Sequence, residues 1–242
     1  MAACRGKTAL VTNASRKEGR AAALALASAG AQVLVHDDRA TQRIEHIVQH
    51  IRAAGGIAKA LTTDTSSHAG PESLAQQTRE IVGDRLDILV LNPSLPTIDR
   101  KGEVSEAAEF DAKLSARARA PFLLVQRLLP ILSTGSSVIL TSPREDHFAV
   151  DRVPSYLSMA SAIAGLSDHF SALLKPIGVR VNVIDLNDAR PDTSEEAPRS
   201  TSARSGDAQK KQDPDQHVGE IVTFLASSKS HQVTGETIHV AL

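Results

Sequence analysis

Short apolar runs alternate along this chain with longer stretches whose apolar residues recur at helical spacing. Thr8–Thr12 is a run of strand type. A polar turn, Asn13–Gly19, follows, then an Ala- and Leu-rich helix over Arg20–Ala29 closed by Gly30, then a second strand, Gln32–His36, ending at Asp37. Strand, turn, helix and strand in this order make a βαβ unit, which seeds a parallel sheet. The alternation continues. Ile44, Ile47, Val48 and Ile51 share one face of a helix predicted over Thr41–Ala54 and stopped by Gly55-Gly56. Further strands are predicted at Ile57–Leu61, Leu86–Asn92, Ser137–Ser142, Val179–Ile184 and Glu236–Ala241, and helices at Glu72–Val82, Ser105–Leu132, Ser155–Leu174 and Gln216–Ala226. Seven strands with alternating helices predict an α/β fold, a three-layer doubly wound parallel sheet, as one domain over residues 1–242.

One segment departs from the pattern. Asn187–His217 has no Val, Ile, Leu, Met, Phe, Trp or Tyr and is rich in Ser, Asp, Glu, Arg and Lys. Such a stretch buries too little apolar surface to offset its ordering entropy, which predicts a flexible polar loop with the character of a lid.

Composition narrows the class. The 242 residues are 41% hydrophobic but only 2% aromatic, with no Trp and one Tyr, so the core must be built from Ala, Val, Leu and Ile. A net charge of −1 offers no electrostatic footprint for nucleic acid or an anionic membrane. The single cysteine, Cys4, rules out an internal disulfide and fits a reducing compartment. No apolar run reaches membrane-spanning or signal-peptide length, so a soluble, cytoplasmic protein is expected. No Cys/His/Asp spacing points to a metal.

Several strings, ALASAGAQVLVH, RLDILVLN, RAPFLLVQRLLPIL, GVRVNVI and FLASSKSHQVTGETIHV, together resemble the short-chain dehydrogenase/reductase family, near the 3-oxoacyl-acyl-carrier-protein reductase type. The resemblance runs over nearly the whole chain. It implies a Rossmann-like fold with strand order 3-2-1-4-5-6-7, NAD(P) as cofactor, a small-molecule substrate and a homo- or hetero-oligomer. The family's first turn reads T-G-x-x-x-G-x-G. Here Thr12-Asn13-Ala14-Ser15-Arg16-Lys17-Glu18-Gly19 keeps the Thr and the last Gly. Those glycines let the backbone approach a pyrophosphate, so cofactor binding is expected to be weakened, with Lys17 compensating in part. The cofactor-binding candidates the resemblance implies are Thr12, Asn13, Ser15, Arg16, Gly19, Asp37, Asp64 and Asn92. Asp64 matches an adenine-contacting aspartate. Asp37 sits where a carboxylate favours the ribose of NAD, whereas Arg16 and Arg39 favour a 2′-phosphate.

The family's catalytic set is Asn, Ser, Tyr and Lys. Tyr156 fits the Tyr position, but Ala160 stands at the Lys, Pro143 at the Ser and Arg117 at the Asn. Ser142 is adjacent to the Ser position, but strand alternation aims it at the other face. A Tyr without a neighbouring cation stays near a pKa of about 10, a poor acid–base at neutral pH. Two readings follow. In the first the chain is a repurposed enzyme, a cyclase or atypical reductase of a natural-product pathway, using Tyr156 and Arg117 with Asp146 and Asp151 as its partners. In the second it is a catalytically inactive structural or regulatory subunit paired with an active relative. Ordinary NAD(P)H-dependent carbonyl reduction is not expected.

Overall fold

In a computed structural model the structure describes residues 2–93, 111, 114–142, 153–186 and 214–240, and for residues 153–160 and 214–215 the helical backbone. Seven strands, β1 (Thr8–Val11), β2 (Gln32–Asp37), β3 (Ile57–Thr62), β4 (Ile88–Leu91), β5 (Ser137–Ser142), β6 (Arg180–Asp185) and β7 (Thr237–His239), form one sheet in the order β3-β2-β1-β4-β5-β6-β7. Every pairing is parallel. This is the expected Rossmann-like α/β arrangement. The strands are apolar on both faces because both are covered. On one side Ala9, Val11, Val33 and Val35 pack against α1 (Lys17–Ser28), α2 (Gln42–Ala53) and α6 (Pro214–Ala226). On the other, Leu10, Leu34, Leu89 and Leu140 pack against α3 (Gly70–Val82), α4 (Ala120–Leu128) and α5 (Val153–Leu174).

A core poor in aromatics closes through small residues. Helices α1 and α6 approach so closely that a Cβ on Gly219 would lie 2.8 Å from the Cβ of Ala25. The C-terminal end of α6 is held by donors from three strand starts. Lys7 Nζ donates to Ala226 O (2.6 Å), Ser137 Oγ to Leu225 O (2.9 Å) and Arg180 Nη1 to Leu225 O (2.7 Å). Two of these donors are cationic, which suits the negative end of a helix dipole. Burial pushes the Arg180 pKa down from its ordinary value.

Element ends shift from the sequence-based expectation, and three shifts have physical causes. Helix α1 begins at Lys17, so the last residues of the expected turn already form its first turn, where Glu18 suits the positive helix end. Helix α6 begins at Pro214, so the last four residues of the expected polar loop belong to a helix whose first turn tolerates proline; residues 187–213 lie outside those described. The long helix expected over Ser105–Leu132 is not one helix where it is described. Ser115–Arg119 is a π-turn, followed by α4 and a 3₁₀ turn, Leu129–Ile131. Pro121 has no N–H to give the carbonyl of Arg117, and the ladder widens so that Ala120 N–H bonds Ser115 O.

Candidate functional site

The strand order reverses direction between β1 and β4. In open α/β sheets that switch point, at the C-terminal strand ends, is where ligands bind. Here it is built from four buried polar residues, Thr12, Asn13, Asn92 and Thr141. The backbone N–H of Asn92 donates to Thr12 Oγ1 (2.9 Å), and Asn92 Nδ2 donates to Thr12 O (2.7 Å). Asn13 Nδ2 donates to Asn92 O (2.7 Å), and Thr141 Oγ1 to Asn92 Oδ1 (2.8 Å). The ends of β1, β4 and β5 are thereby tied together.

Asn13 occupies the first glycine position of the turn with φ +49°, the one non-glycine with positive φ among the described residues. Asn tolerates this left-handed conformation better than other side chains. Gly19 keeps the role of the last glycine, since a Cβ there would lie 2.6 Å from Asn13 O. The turn therefore fits a dinucleotide at its first and last glycine positions. At the middle one, Lys17 is exposed at the start of α1.

Asp37 is buried at the end of β2. Its carboxylate accepts from the N–H of Ser15 (3.2 Å) and of Arg39 (3.3 Å), which pins the turn to β2. Asp64 is exposed and accepts from Ser66 N–H (3.0 Å) in its own loop. The next residue, Thr65, donates through both N–H (3.0 Å) and Oγ1 (2.6 Å) to Asp38. His36 is fully buried, its Nε2 2.8 Å from Thr63 O and its Nδ1 without a hydrogen-bond partner. Burial pushes its pKa below the ordinary 6.5, against smaller opposing effects of the Thr63 carbonyl, Asp38 and Asp37.

Arg117 is 2% exposed, the largest fully buried side chain among the described residues, and it does not stand alone there. It lies in the π-turn whose Ala116, with Ala120 and Leu124 of α4, faces Thr12, Asn13 and Asn92 across a small cleft. The Arg117 side chain is thus turned into the protein rather than to solvent. Tyr156 lies in the first turn of α5. Asp146 and Asp151, and with them Pro143, lie outside the described residues. Ser142 alternates with Val138 and Leu140, which face α4 and α5, so it shares the face on which α5 lies.

Sequence reasoning missed one pair. At the last rung of the sheet Ser142 is in register with Asp185, and Asp185 with His239. Asp185 Oδ2 is 3.0 Å from His239 Nδ1. The pair is 54 residues apart in sequence and has no local signal; only the β6–β7 register brings it together.

A seven-stranded doubly wound parallel sheet in the order β3-β2-β1-β4-β5-β6-β7 defines a Rossmann-like class of protein. The comparisons with known proteins say which. The family model described as enoyl-(acyl carrier protein) reductase matches residues 17–241, and the chain belongs to the short-chain dehydrogenase/reductase family. It is 28% identical over 247 residues to the 3-oxoacyl-acyl-carrier-protein reductase FabG of Staphylococcus aureus strain Mu50, covering 97% of this chain and 96% of that one. It is 28% identical to the hydroxynaphthalene reductase arp2 of Aspergillus fumigatus, over 96% of this chain and 89% of the relative. Among solved structures, LugOII, a promiscuous reductase that catalyses keto-reduction at C1 during lugdunomycin biosynthesis, superposes with a TM-score of 0.77 at 28% identity, over 99% and 96% of the two chains. The angucycline C-6 ketoreductase LanV, solved with bound NADP, gives 0.74 at 27% identity, over 98% and 95%. No helix among the described residues is long and apolar enough to cross a membrane.

Proposed function

We propose that this chain is an atypical reductase of its family that holds NADP(H) at the β1–β4 switch point and acts on an aromatic or polyketide-type ketone. The observation that carries the reading is the β1–α1 turn. Asn13 adopts the conformation a glycine would supply and Gly19 keeps its close approach, so the turn retains its shape although two glycines are gone. The two natural-product ketoreductases among its structural neighbours support the substrate class. Asp37, buried and bonded to the N–H groups of Ser15 and Arg39, serves to hold the turn against β2 in this reading. Arg16, Lys17 and Arg39 on the adjoining loops carry the charge a 2′-phosphate and pyrophosphate need.

In this reading Thr12, Asn13, Ser15 and Gly19 form the seat for the pyrophosphate, Asp64 meets the adenine and Asn92 fixes the floor beneath the nicotinamide ring. The chemistry that NADP(H) would supply when held there is a hydride for the carbonyl carbon. Tyr156 gives the proton to the carbonyl oxygen. Arg117 supplies the positive charge that the missing lysine would have provided, oriented by Asp146 and Asp151. A guanidinium stabilises developing negative charge well in a low-dielectric site.

Ala160 and Pro143 favour a second reading, a catalytically silent subunit beside an active relative, since neither can replace the Lys or the Ser. Calorimetric titration with NADPH and NADH, followed by turnover assays on 1-tetralone and acetoacetyl thioesters, separates the two. The reductase reading expects micromolar NADPH binding, weaker NADH binding, and turnover of the thioester well below the roughly 10 s⁻¹ of a typical enzyme. Absence of binding by either cofactor at millimolar concentration discards it in favour of the subunit.

A further inference from the structure

We infer that Asp185 and His239 form a substrate-anchoring subsite, in which His239 Nε2 accepts a hydrogen bond from a phenolic hydroxyl at the far end of an aromatic ketone. The inference rests on the reductase reading for one thing only, that the reacting carbonyl lies by the end of β5.

The geometry is that of a carboxylate–imidazole pair. Asp185 is the last residue of β6 and alternates with Val181 and Val183, which pack under α5, so its side chain leaves the sheet on the α5 side. The carboxylate is 18% exposed and sits 3.0 Å from His239 Nδ1, whereas His239 is 71% exposed. A carboxylate accepting from Nδ1–H selects the tautomer whose Nε2 carries a lone pair. That nitrogen is then an acceptor on the exposed side of the ring, and it recognises a hydroxyl donor.

Position makes this more than a surface pair. One rung lower on the same face the residues are Leu140, Val183 and Thr237, and polar side chains from all three strands come together only at the terminal rung, as Ser142, Asp185 and His239. That rung is the ligand-binding edge of the sheet. Strands lie about 4.8 Å apart, so β5 and β7 are separated by roughly 10 Å at this edge. That separation excludes a Ser–His nucleophile pair between Ser142 and His239. It suits a fused-ring ligand whose carbonyl lies at β5 and whose hydroxyl lies at β7.

The test compares 6-hydroxy-1-tetralone with 6-methoxy-1-tetralone, which keeps the ring and carbonyl but has no hydroxyl proton. Calorimetry on the full-length protein, without cofactor, is expected to give about tenfold tighter binding of the hydroxy compound, because a site built around a hydroxyl rejects its O-methyl analogue. The preference should vanish in His239→Phe and shrink in Asp185→Asn, which is isosteric and leaves the sheet intact. The His239 ring resonances should shift on adding the hydroxy compound and not the methoxy one. Equal affinity for the two tetralones, no binding of either at millimolar concentration, or an undiminished preference in His239→Phe each overturns the proposal. NADPH titrated separately keeps the two questions apart. If NADPH fails to bind while the hydroxyl preference stands, the reductase reading falls and the subsite remains; the reverse result removes the subsite alone.

Discussion

Replacing Asn13 by Ala and by Gly separates the two things that residue does at the switch point. Its backbone is held at φ +49°, and its amide donates to the buried carbonyl of Asn92 at 2.7 Å. Alanine loses both the hydrogen bond and the tolerance for this conformation. A left-handed residue with a Cβ costs roughly 1–2 kcal/mol, and a lost hydrogen bond about 0.5–1.5 kcal/mol. The Asn92 carbonyl keeps a second donor, Thr12 Oγ1 at 3.1 Å, so it is not stranded and the lower end of that range applies. Asn13→Ala should therefore lose about 2 kcal/mol. Glycine loses the hydrogen bond but has no strain, so Asn13→Gly should lose about 1 kcal/mol, part of it through a more flexible unfolded chain. For a chain of this size those losses correspond to midpoint shifts of roughly 4–8 °C and 2–4 °C. Urea unfolding read by circular dichroism measures both, with unchanged m-values as the control. The order wild type, Gly, Ala is the decisive feature. If Asn13→Ala proved as stable as the wild type, or Gly the least stable of the three, the account of this turn would be refuted.

Acidification should act through His36. It is buried and its pKa is pushed below 6.5, so below that value the unfolded chain takes up a proton that the folded one does not, and stability falls as pH drops from 6.5 until the folded pKa is reached. His36→Gln should flatten the stability–pH slope on the acid side of about pH 6.5; a slope equal to wild type would show that His36 does not titrate in this way. Arg180→Met should cost about 1–3 kcal/mol, because it removes the donor to Leu225 O and to Ser230 O and Oγ at 3.1 and 2.8 Å, while Ser137 Oγ still serves Leu225 O; thermal unfolding with a loss under about 0.5 kcal/mol would contradict this. Ala160→Lys with Pro143→Ser should raise reduction of a simple ketone by about 10²-fold or more, since acid–base catalysis and carbonyl polarisation each contribute on that scale. No gain in steady-state NADPH oxidation would mean that the turn, not the tetrad, limits the chemistry.

The sheet was legible because each strand is an apolar run bounded by turn residues, and the parallel order follows once helices alternate with strands. Leu86–Asn92 and Ser137–Ser142 are read from side-chain type alone, and the structure shortens the first to Ile88–Leu91. The site was legible in part. The turn residues and Arg117 come from the resemblance to the family's motifs, and the structure joins Thr12, Asn13 and Asn92 in one network and buries Arg117 in the π-turn. Asn13 was read as a lost glycine, although asparagine is the side chain most tolerant of the left-handed region, a signal that was available. The π-turn had its signal in Pro121. Asp37 was read as facing a ribose; its engagement with Ser15 and Arg39 depends on how two loops meet, which no local pattern encodes. The Asp185–His239 contact depends on strand register across 54 residues and is of the same kind.

Where substitutions are tolerated follows from where the folding energy lies. Burying a leucine or valine on either face of the sheet is worth roughly 1.5–3 kcal/mol, and those positions, such as Leu10, Val35, Leu89 and Ile139, are fully buried. The vertices of the site lie past the strand ends, where the backbone leaves the sheet and little apolar surface is at stake. Substitutions at such places usually change stability by within about 0.5 kcal/mol unless a buried polar group is stranded. The switch point is the exception, because its groups are buried. There Asn92 can be kept in place only while Thr12, Asn13 and Thr141 satisfy it, and all three do. A chain free to change its chemistry but required to stay folded would vary first at Pro143 and Ala160 and last at Thr12 and Asn92. The buried network at the switch point is therefore the part of the site that stability alone would preserve, whereas an exposed pair such as Asp185–His239 stabilises little.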